Sequence, residues 1–483
     1  MIRTTLLVSL GILSFGRLPI VSRTVAAGER TVAAEDRATT TGKRPPNIVL
    51  IIADDLGREC LGCYGGQSYP TPNIDALARR GVRYRCCYAT PMCSPSRVML
   101  LTGRRSDHNY VQWARWNQTD ATIASVLAGA GYRTAMSGKW HLGGWPRPEQ
   151  DAPAPSSGAT ESSSPVSRGI GPEIAGFERY ATFDYETVVR ESGIVGNQYW
   201  NTEVWIDGQR TRPDMRYAPE LFRDYTLDFL DRAVGAAEPF FVYHSMVLAH
   251  RPFVPTPATL ATTEQRIAKK GDVDHFPAMV SKIDDIVGDI VRRLEELGVA
   301  DDTIVVFTSD NGTDNVHEAK TLRSRFLDRW VAGEKYLPSE LGAAVPLIVA
   351  GPGVIPNAVM DSPVDFTDLL PTLGQIGHAK VPTNLDGESL WSQWQGGPTG
   401  HDGIASTWGV FEKTSRRYKD PRRFAKDFVF VVRDKSFRWQ SDGQLFDVTS
   451  DPLGQRSLSP GQHPDVRRRM RLHLDRDREN AVW

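Results

Sequence analysis

The strongest constraint on the fold of this chain is an uninterrupted apolar run, IVLII, at residues 48–52. Its β-branched residues and its lack of alternation are typical of a strand buried on both faces, as in a parallel sheet. Similar runs return at 132–137, 239–244, 303–308 and 345–350, and helical spacing of apolar residues occupies 73–80, 121–130 and 279–297. Strands that alternate with helices predict an α/β fold, with a mostly parallel central sheet sandwiched by helices.

Two smaller features refine this prediction. Gly81 follows the helix predicted at 73–80 and is expected to cap its C-terminus, after which residues 82–88 are expected to form a short strand. The stretch 145–170 is rich in Pro, Ser, Ala and Gly, which predicts an exposed insertion or flexible loop.

The pattern changes after about residue 395. Residues 428–432, 437–439 and 444–447 are typical of short antiparallel strands, and a basic helical pattern covers 465–476. We therefore expect a smaller α+β C-terminal subdomain over 396–483.

The N-terminus has the pattern of a secretory signal peptide. A basic start and an apolar run end at the small residues Val25-Ala26-Ala27. We predict a signal peptide over 1–27, a flexible lead-in over 28–45, and export to the periplasm or the cell exterior. No later segment has the length and apolar character of a membrane span. Lys and Arg (57) balance Asp and Glu (58), which gives no support to nucleic-acid binding.

The five cysteines are an odd number for an exported chain, which indicates that one has a separate task. Cys93 is the natural candidate for that task. Cys60, Cys63, Cys86 and Cys87 could form two disulfides, and a zinc site is the alternative. Adjacent cysteines make poor joint ligands for one tetrahedral metal, which disfavours zinc.

The segment Cys93-Ser94-Pro95-Ser96-Arg97 has the pattern of a helix start. Ser94 can cap the first turn, and Pro95 suits the first helical position, where its missing N–H costs nothing. Cys93 then lies at the positive end of the helix dipole, which stabilises an anionic group, and Arg97 adds a permanent cation one turn later.

Two predicted strands end in acidic residues: Asp54-Asp55 follow the strand at 48–52, and Asp310-Asn311 follow the strand at 303–308. Ligand sites of α/β folds lie at such strand ends, and adjacent carboxylates need a cation. Carboxylate and amide oxygens suit calcium or magnesium. A thiol is a poor ligand for calcium, which suggests that Cys93 does not remain a cysteine.

Basic residues and histidines follow other predicted core strands. Lys139 and His141 come after the strand at 132–137, and alternate residues of an extended segment share one face and can reach one pocket. His250 follows the strand at 239–244, and Lys335 lies in the segment GEK. Each residue alone is more typical of an ordinary structural or surface position, so their joint positions make them candidates.

Taken together, these motifs resemble the type I sulfatases of the alkaline phosphatase-like superfamily, from Asn47 to the C-terminus. The resemblance rests on the acidic pair at 54–55, CSPSR at 93–97, LTGR at 101–104, GKWH at 138–141 and SDNG at 309–312. DLLPT at 368–372, NLDG at 384–387 and LFD at 445–447 add to it. It implies an alkaline phosphatase-like fold and a catalytic sulfatase domain over 46–395.

The resemblance also implies a mechanism. In such sulfatases the motif cysteine, here Cys93, is oxidised to formylglycine, whose hydrated aldehyde attacks sulfur and then expels sulfate. By position, Asp54, Asp55, Asp310, Asn311 and residue 93 would bind calcium or magnesium, and Arg97 would stabilise the hydrated aldehyde. Lys139, His141, His250 and Lys335 would hold the sulfate and transfer protons.

The implied partners are a sulfated carbohydrate or small sulfate ester as substrate, and a formylglycine-generating or anaerobic sulfatase-maturating enzyme. One departure from the family pattern follows Lys335, where the usual aromatic-Glu-Gly-Gly-x-Arg run reads SELGAA at 339–344. Two alternatives stay open: a phosphate or phosphonate ester hydrolase on the same scaffold, and a non-catalytic relative that binds sulfated glycans.

Overall fold

The computed structural model describes residues 44–112, 115–143, 171–183, 197–398, 403–409, 427–479 and 481. The described residues from Pro45 onward belong to one compact unit. The predicted signal peptide at 1–27, most of the lead-in at 28–45 and the predicted insertion at 145–170 lie outside the described residues. The boundary expected between 395 and 396 stays a prediction.

The strands of the described chain, in order, are β1 (Asn47–Ala53), β2 (Gly81–Tyr84), β3 (Cys87–Tyr88), β4 (Tyr110–Gln112), β5 (Arg115–Trp116), β6 (Arg133–Lys139), β7 (Arg179–Phe183), β8 (Val204–Ile206), β9 (Gln209–Thr211), β10 (Phe240–Ser245), β11 (Thr303–Ser309), β12 (Ser324–Phe326), β13 (Arg329–Val331), β14 (Ala344–Val345), β15 (Leu347–Ala350), β16 (Ala358–Met360), β17 (Val364–Asp365), β18 (Ala405–Gly409), β19 (Val429–Arg433), β20 (Phe437–Gln440) and β21 (Leu445–Asp447).

The α-helices of the described chain are α1 (Pro72–Arg79), α2 (Cys93–Thr102), α3 (Ser106–Asn109), α4 (Ile123–Gly129), α5 (Ala218–Gly235), α6 (Thr263–Arg266), α7 (Phe276–Glu296), α8 (Leu369–Ile376), α9 (Trp391–Trp394) and α10 (Pro464–Asp477). Among them, none combines the length and the apolar character that a membrane span requires.

Ten strands form the central sheet, in the order β16-β2-β15-β11-β1-β10-β6-β7-β8-β9. The pairs β11-β1, β1-β10, β10-β6 and β6-β7 are parallel, while antiparallel pairs such as β11-β15 and β7-β8 lie toward the edges. This arrangement confirms the predicted mostly parallel α/β fold.

The strand β1 is buried on both faces, as its continuous apolar run predicts. Val49 and Ile51 join one apolar cluster with helices α1, α5 and α7. Ile48, Leu50 and Ile52 join a second cluster with α2, α4 and α8. Successive side chains thus bind the two helical layers to opposite faces of one sheet.

The C-terminal part of the chain forms the antiparallel sheet β18-β19-β20-β21, which packs with helix α10. The cluster beneath it contains Trp408, Phe430, Trp439 and Met470, together with Met92 from the segment just before α2. The predicted small α+β region is therefore present, and it contacts the chain beside Cys93.

Three local predictions need correction. Gly81 does not cap α1, because Arg80 holds that position and Gly81 begins β2. A glycine is needed there because a Cβ atom would lie 1.9 Å from the carbonyl oxygen of Val349 on the paired strand. The strand expected at 82–88 divides into β2 and β3. The strand expected at 345–350 divides at Pro346, which has no N–H for a sheet hydrogen bond.

Candidate active site

The two acidic strand ends meet at one edge of the central sheet. β1 and β11 are parallel neighbours in which Ala53 faces Ser309, so the residues that follow them come together. The Asp55 N–H donates to Asp310 Oδ1 at 3.1 Å, and Asn311 Nδ2 donates to Asp55 Oδ1 at 2.7 Å. Asp54, Asp55, Asp310 and Asn311 have no solvent exposure.

Two oxygens of this cluster have the features of cation ligands. Asp54 Oδ1 and Asn311 Oδ1 are buried and lack a hydrogen-bond partner within the described chain. Ligand atoms of Asp54, Cys93 and Asp310 lie within 4.8 Å of one another. Burial raises the pKa of Asp54 well above its usual value, and Asp310 adds to this effect. A hard divalent cation fits this donor set because it would satisfy the unpartnered oxygens and reduce the repulsion.

Cys93 is the first residue of α2, with Met92 in the N-cap position. The predicted cap at Ser94 is therefore wrong, as is the placement of Pro95 at the first helical position. Ser94 Oγ instead donates to the carbonyl of His141 at 3.3 Å, so its side chain connects two segments of the site. Cys93 itself is 2% exposed, and burial raises the pKa of its thiol while Lys139 and Lys335 oppose that shift.

Arg97 links α2 to both acidic strand ends. Its Nε and Nη2 donate to Asp310 Oδ2 at 3.0 and 2.7 Å, and Nη2 lies 3.9 Å from Asp54 Oδ1. Its Nη1 donates to the Lys139 carbonyl at 3.2 Å and to Ser245 Oγ. This fully buried guanidinium therefore holds the helix start against the carboxylates.

Lys139 and His141 approach the cluster from the end of β6. Lys139 Nζ lies 2.6 Å from Asp54 Oδ2, and His141 Nδ1 lies 3.3 Å from Cys93 Sγ. They converge through a bend rather than through strand alternation, since His141 has a left-handed φ of 54°. Burial and then the charge of Lys139 lower the pKa of His141 well below its usual value, which favours the neutral imidazole.

His250 and Lys335 lie on the Asp55 side of the cluster. Lys335 Nζ is 2.7 Å from Asp55 Oδ2, and His250 Nε2 is 3.8 Å from the same oxygen. Burial lowers the pKa of His250 well below its usual value, and Lys335 lowers it further. Lys335 joins the site although the sequence after it departs from the family pattern.

The structure thus brings all ten predicted site residues into one buried cluster, and adds two that sequence reasoning missed. Ser245 contacts Arg97, and its position at the end of β10 is a signal that could have identified it. Gln198 Nε2 lies 3.2 Å from His250 Nδ1, and no motif marks it.

The remaining four cysteines form neither of the alternatives considered for them. Cys60, Cys63, Cys86 and Cys87 are free thiols, and no candidate metal group among the described residues includes them. Cys86 and Cys87 belong to different apolar clusters, because successive residues around β3 face opposite sides. The two adjacent thiols therefore serve as packing residues.

Comparisons with known proteins agree with the geometry. A family model described as Sulfatase matches residues 46–379, the range that contains every predicted site residue. Arylsulfatase A of Homo sapiens is 30% identical over 375 residues, covering 72% of this chain and 67% of that protein. N-acetylgalactosamine-6-sulfatase of Sus scrofa is 32% identical over 384 residues, covering 74% and 68%. The crystal structure of Ps i-CgsB aligns with a TM-score of 0.71 at 24% identity, covering 91% of this chain and 95% of that one.

Proposed function

Because this chain belongs to the sulfatase family and is a sulfuric ester hydrolase, we propose that it acts through a formylglycine formed from Cys93. The observation that carries this proposal is the position of Cys93. Its Sγ lies 3.3 Å from His141 Nδ1 and within 4.8 Å of carboxylate oxygens of Asp54 and Asp310.

Asp54, Asp55, Asp310, Asn311 and residue 93 would hold a divalent cation, and calcium, with magnesium as the alternative, suits this set of oxygen donors. The unpartnered Oδ1 atoms of Asp54 and Asn311 support this assignment. When bound, the cation supplies Lewis-acid polarisation of sulfate oxygens. The thiol of Cys93 is a soft ligand that suits this cation poorly, which supports its conversion to an oxygen-bearing group.

Formylglycine, once formed and hydrated, supplies two hydroxyls, one that attacks sulfur and one that allows sulfate to be released. The residues around it have separate tasks. Lys139 and Lys335 would bind sulfate oxygens and neutralise the charge that develops on them. Arg97, which is fixed by Asp310, would stabilise the hydrate.

Two histidines would transfer the protons. His250 faces Asp55 from the side of Lys335, and it would protonate the leaving alcohol. The negative charge of a bound sulfate would offset that of Lys335 and so favour the protonated imidazole that this step requires. His141 contacts residue 93 directly and would remove the proton that must leave before sulfate is expelled. Both imidazoles are buried, and the low dielectric of a buried site strengthens their electrostatic interactions.

The substrate proposed is a sulfated carbohydrate, with small aryl sulfates as surrogate substrates. The name of the Sus scrofa relative, an N-acetylgalactosamine-6-sulfatase, supports a sulfated sugar. We further propose export, maturation by a formylglycine-generating or anaerobic sulfatase-maturating enzyme, and a catalytic domain over 46–395 followed by a subdomain over 396–483.

Mass spectrometry of the peptide that contains residue 93 tests the proposal. Active protein from a host with a maturation system should carry an aldehyde in place of the thiol, with one oxygen gained and one sulfur and two hydrogens lost. Cys93→Ala should abolish hydrolysis of 4-nitrophenyl sulfate, whereas Cys63→Ala, a free thiol outside the site, should retain it. An unmodified thiol in fully active protein would contradict the mechanism, and faster cleavage of 4-nitrophenyl phosphate would favour the phosphatase alternative.

A further inference from the structure

Arg251 follows His250 directly and lies beside the proposed general acid. The backbone at these two residues is held from several directions. Tyr199 donates its hydroxyl to the His250 carbonyl, and Gln198 Nε2 donates to the Arg251 carbonyl at 2.8 Å. His250 Nδ1 lies 2.7 Å from that same carbonyl oxygen. The Arg251 side chain therefore starts from a fixed point next to the catalytic cluster.

Among the described residues, Asp314 alone forms a hydrogen bond with the guanidinium of Arg251. Its Nε donates to Asp314 Oδ2, and the Asp314 side chain is completely buried. Asp314 Oδ1 in turn accepts the backbone N–H groups of Asn315 and Val316 at 2.7 and 3.1 Å. The carboxylate is thus fixed by three donors, and it fixes the orientation of the arginine.

The terminal nitrogens of the guanidinium take no part in this contact. Within the described chain, its two terminal nitrogens make no hydrogen bond, and the side chain of Arg251 is 21% exposed. A purely structural ion pair with Asp314 does not need these two donors. They belong to the residue that directly follows His250, the side chain that would protonate the leaving alcohol.

The inference rests on the proposed function and deepens it: we infer that Arg251 is a specificity-determining residue that binds a second anionic group, a sulfate or a carboxylate, on the alcohol part of the substrate. A guanidinium presents parallel N–H donors that match both groups in a bidentate contact. Because Asp314 already balances the charge of Arg251, recognition depends on these directed bonds more than on long-range attraction. The substrates favoured would be sugars with two sulfates, or with one sulfate and a neighbouring uronate.

The test compares matched substrates on the same enzyme preparation. Monosulfated saccharides are paired with counterparts that carry one further sulfate or a uronate, and 4-nitrophenyl sulfate serves as a substrate without a second charge. The variants are Arg251→Gln, Arg251→Lys and the control Arg216→Gln, which removes an exposed arginine paired with Asp224. The measured quantity is the ratio of kcat/KM between the doubly and the singly anionic substrate. This ratio does not depend on how much of each variant folds.

We expect the wild type to prefer the doubly anionic member of at least one pair. Arg251→Gln should reduce that ratio roughly 10- to 100-fold, since a hydrogen bond to a charged group contributes about 1.5–3 kcal/mol. Arg251→Lys should recover only part of the lost ratio, because lysine lacks the planar guanidinium with its parallel N–H donors. Arg216→Gln should leave the ratio unchanged. The sulfate and uronate pairs distinguish the two anion types.

An unchanged ratio in Arg251→Gln, or a wild-type preference for the singly charged substrates, would overturn the inference while leaving the proposed function intact. A wild type that cleaves neither 4-nitrophenyl sulfate nor any saccharide sulfate would overturn both. Binding supplies a second measurement. In a Cys93→Ala background, Arg251→Gln should weaken calorimetric binding of the doubly anionic substrate by the same factor.

Discussion

Replacing Asp310 with asparagine tests whether the acidic cluster is a cation site. Asp310 Oδ2 accepts two hydrogen bonds from Arg97 at 3.0 and 2.7 Å, and both side chains are fully buried. An amide can still accept the Asp55 N–H, but it offers the guanidinium no charge. The variant therefore loses the partner of a buried arginine and one proposed cation ligand together.

The expected magnitude follows from these contacts. Breaking a buried ion pair by removing one partner costs about 3–5 kcal/mol. Relief of the repulsion between Asp310 and Asp54 offsets part of this cost, so we expect a loss near the lower limit, about 3 kcal/mol. With an unfolding entropy of roughly 2 cal/mol/K per residue, this loss lowers the Tm by about 3 °C for a unit of this size.

Calorimetry with and without calcium separates the loss of the charged partner of Arg97 from the loss of a cation ligand. Calcium at a thousandfold excess over its Kd should stabilise the wild type by about 4 kcal/mol, and this shift should disappear in Asp310→Asn. Turnover of 4-nitrophenyl sulfate should fall by about 10²- to 10³-fold or more.

The matched control for this experiment is Asp120→Asn. Asp120 accepts two hydrogen bonds from Arg104 at 3.0 and 2.9 Å, away from the site, so its variant should keep the calcium shift. An Asp310→Asn enzyme with the full calcium shift and full activity would refute the assignment of this carboxylate as a ligand.

Three further predictions concern single residues. His250→Gln should slow cleavage of saccharide sulfates by about 10²-fold or more, and of 4-nitrophenyl sulfate much less, because a good leaving group needs little protonation; equal losses on both would contradict a role as general acid. Lys335→Met should reduce kcat/KM for every sulfate ester by about 10²-fold, whereas Lys282→Met, which removes a peripheral ion pair with Glu220, should not. Burial lowers the pKa of His244 to about 3, below the usual 6.5. The unfolded chain therefore binds a proton at this residue more readily than the folded chain, and the free energy of unfolding decreases as pH falls from 6.5 toward 3. Urea unfolding at pH 6.5 and 4.5 should show a decrease of about 2 kcal/mol from this residue, and His244→Gln should reduce that decrease.

The sequence predicts the parts of the site that depend on short-range patterns. Apolar runs identify β1 and β11, and the ends of parallel strands lie at one edge of the sheet, so Asp54 and Asp310 could be predicted to lie at the same edge. That the two strands are direct neighbours is a finding of the structure. The family motif identifies Cys93 because the motif residues 93–97 are contiguous in sequence. The fold class and the candidate site residues could therefore be predicted from the sequence alone.

Side-chain contacts between distant segments could not be predicted from local sequence patterns. Ser94 has the sequence pattern of a helix cap, yet its hydroxyl bonds to the backbone of His141, which no local pattern indicates. The pair between Arg251 and Asp314 joins residues 63 positions apart, and its partners become neighbours only through the order of the strands. Such long-range polar pairs depend on the assembled sheet, so they emerge only from the structure.

The packing of Met92 has a consequence for the order of events during synthesis. Met92 lies in the apolar cluster of the C-terminal sheet, and the adjacent Cys93 is 2% exposed. With Cys93 converted to formylglycine as proposed, we expect the modifying enzyme to act before residues such as Trp408 and Met470 have been made and have packed on Met92. At typical translation rates that interval is on the order of tens of seconds. We therefore expect the late-synthesised C-terminal strands to limit the time for the proposed maturation, and variants that delay their docking should increase the fraction of modified protein.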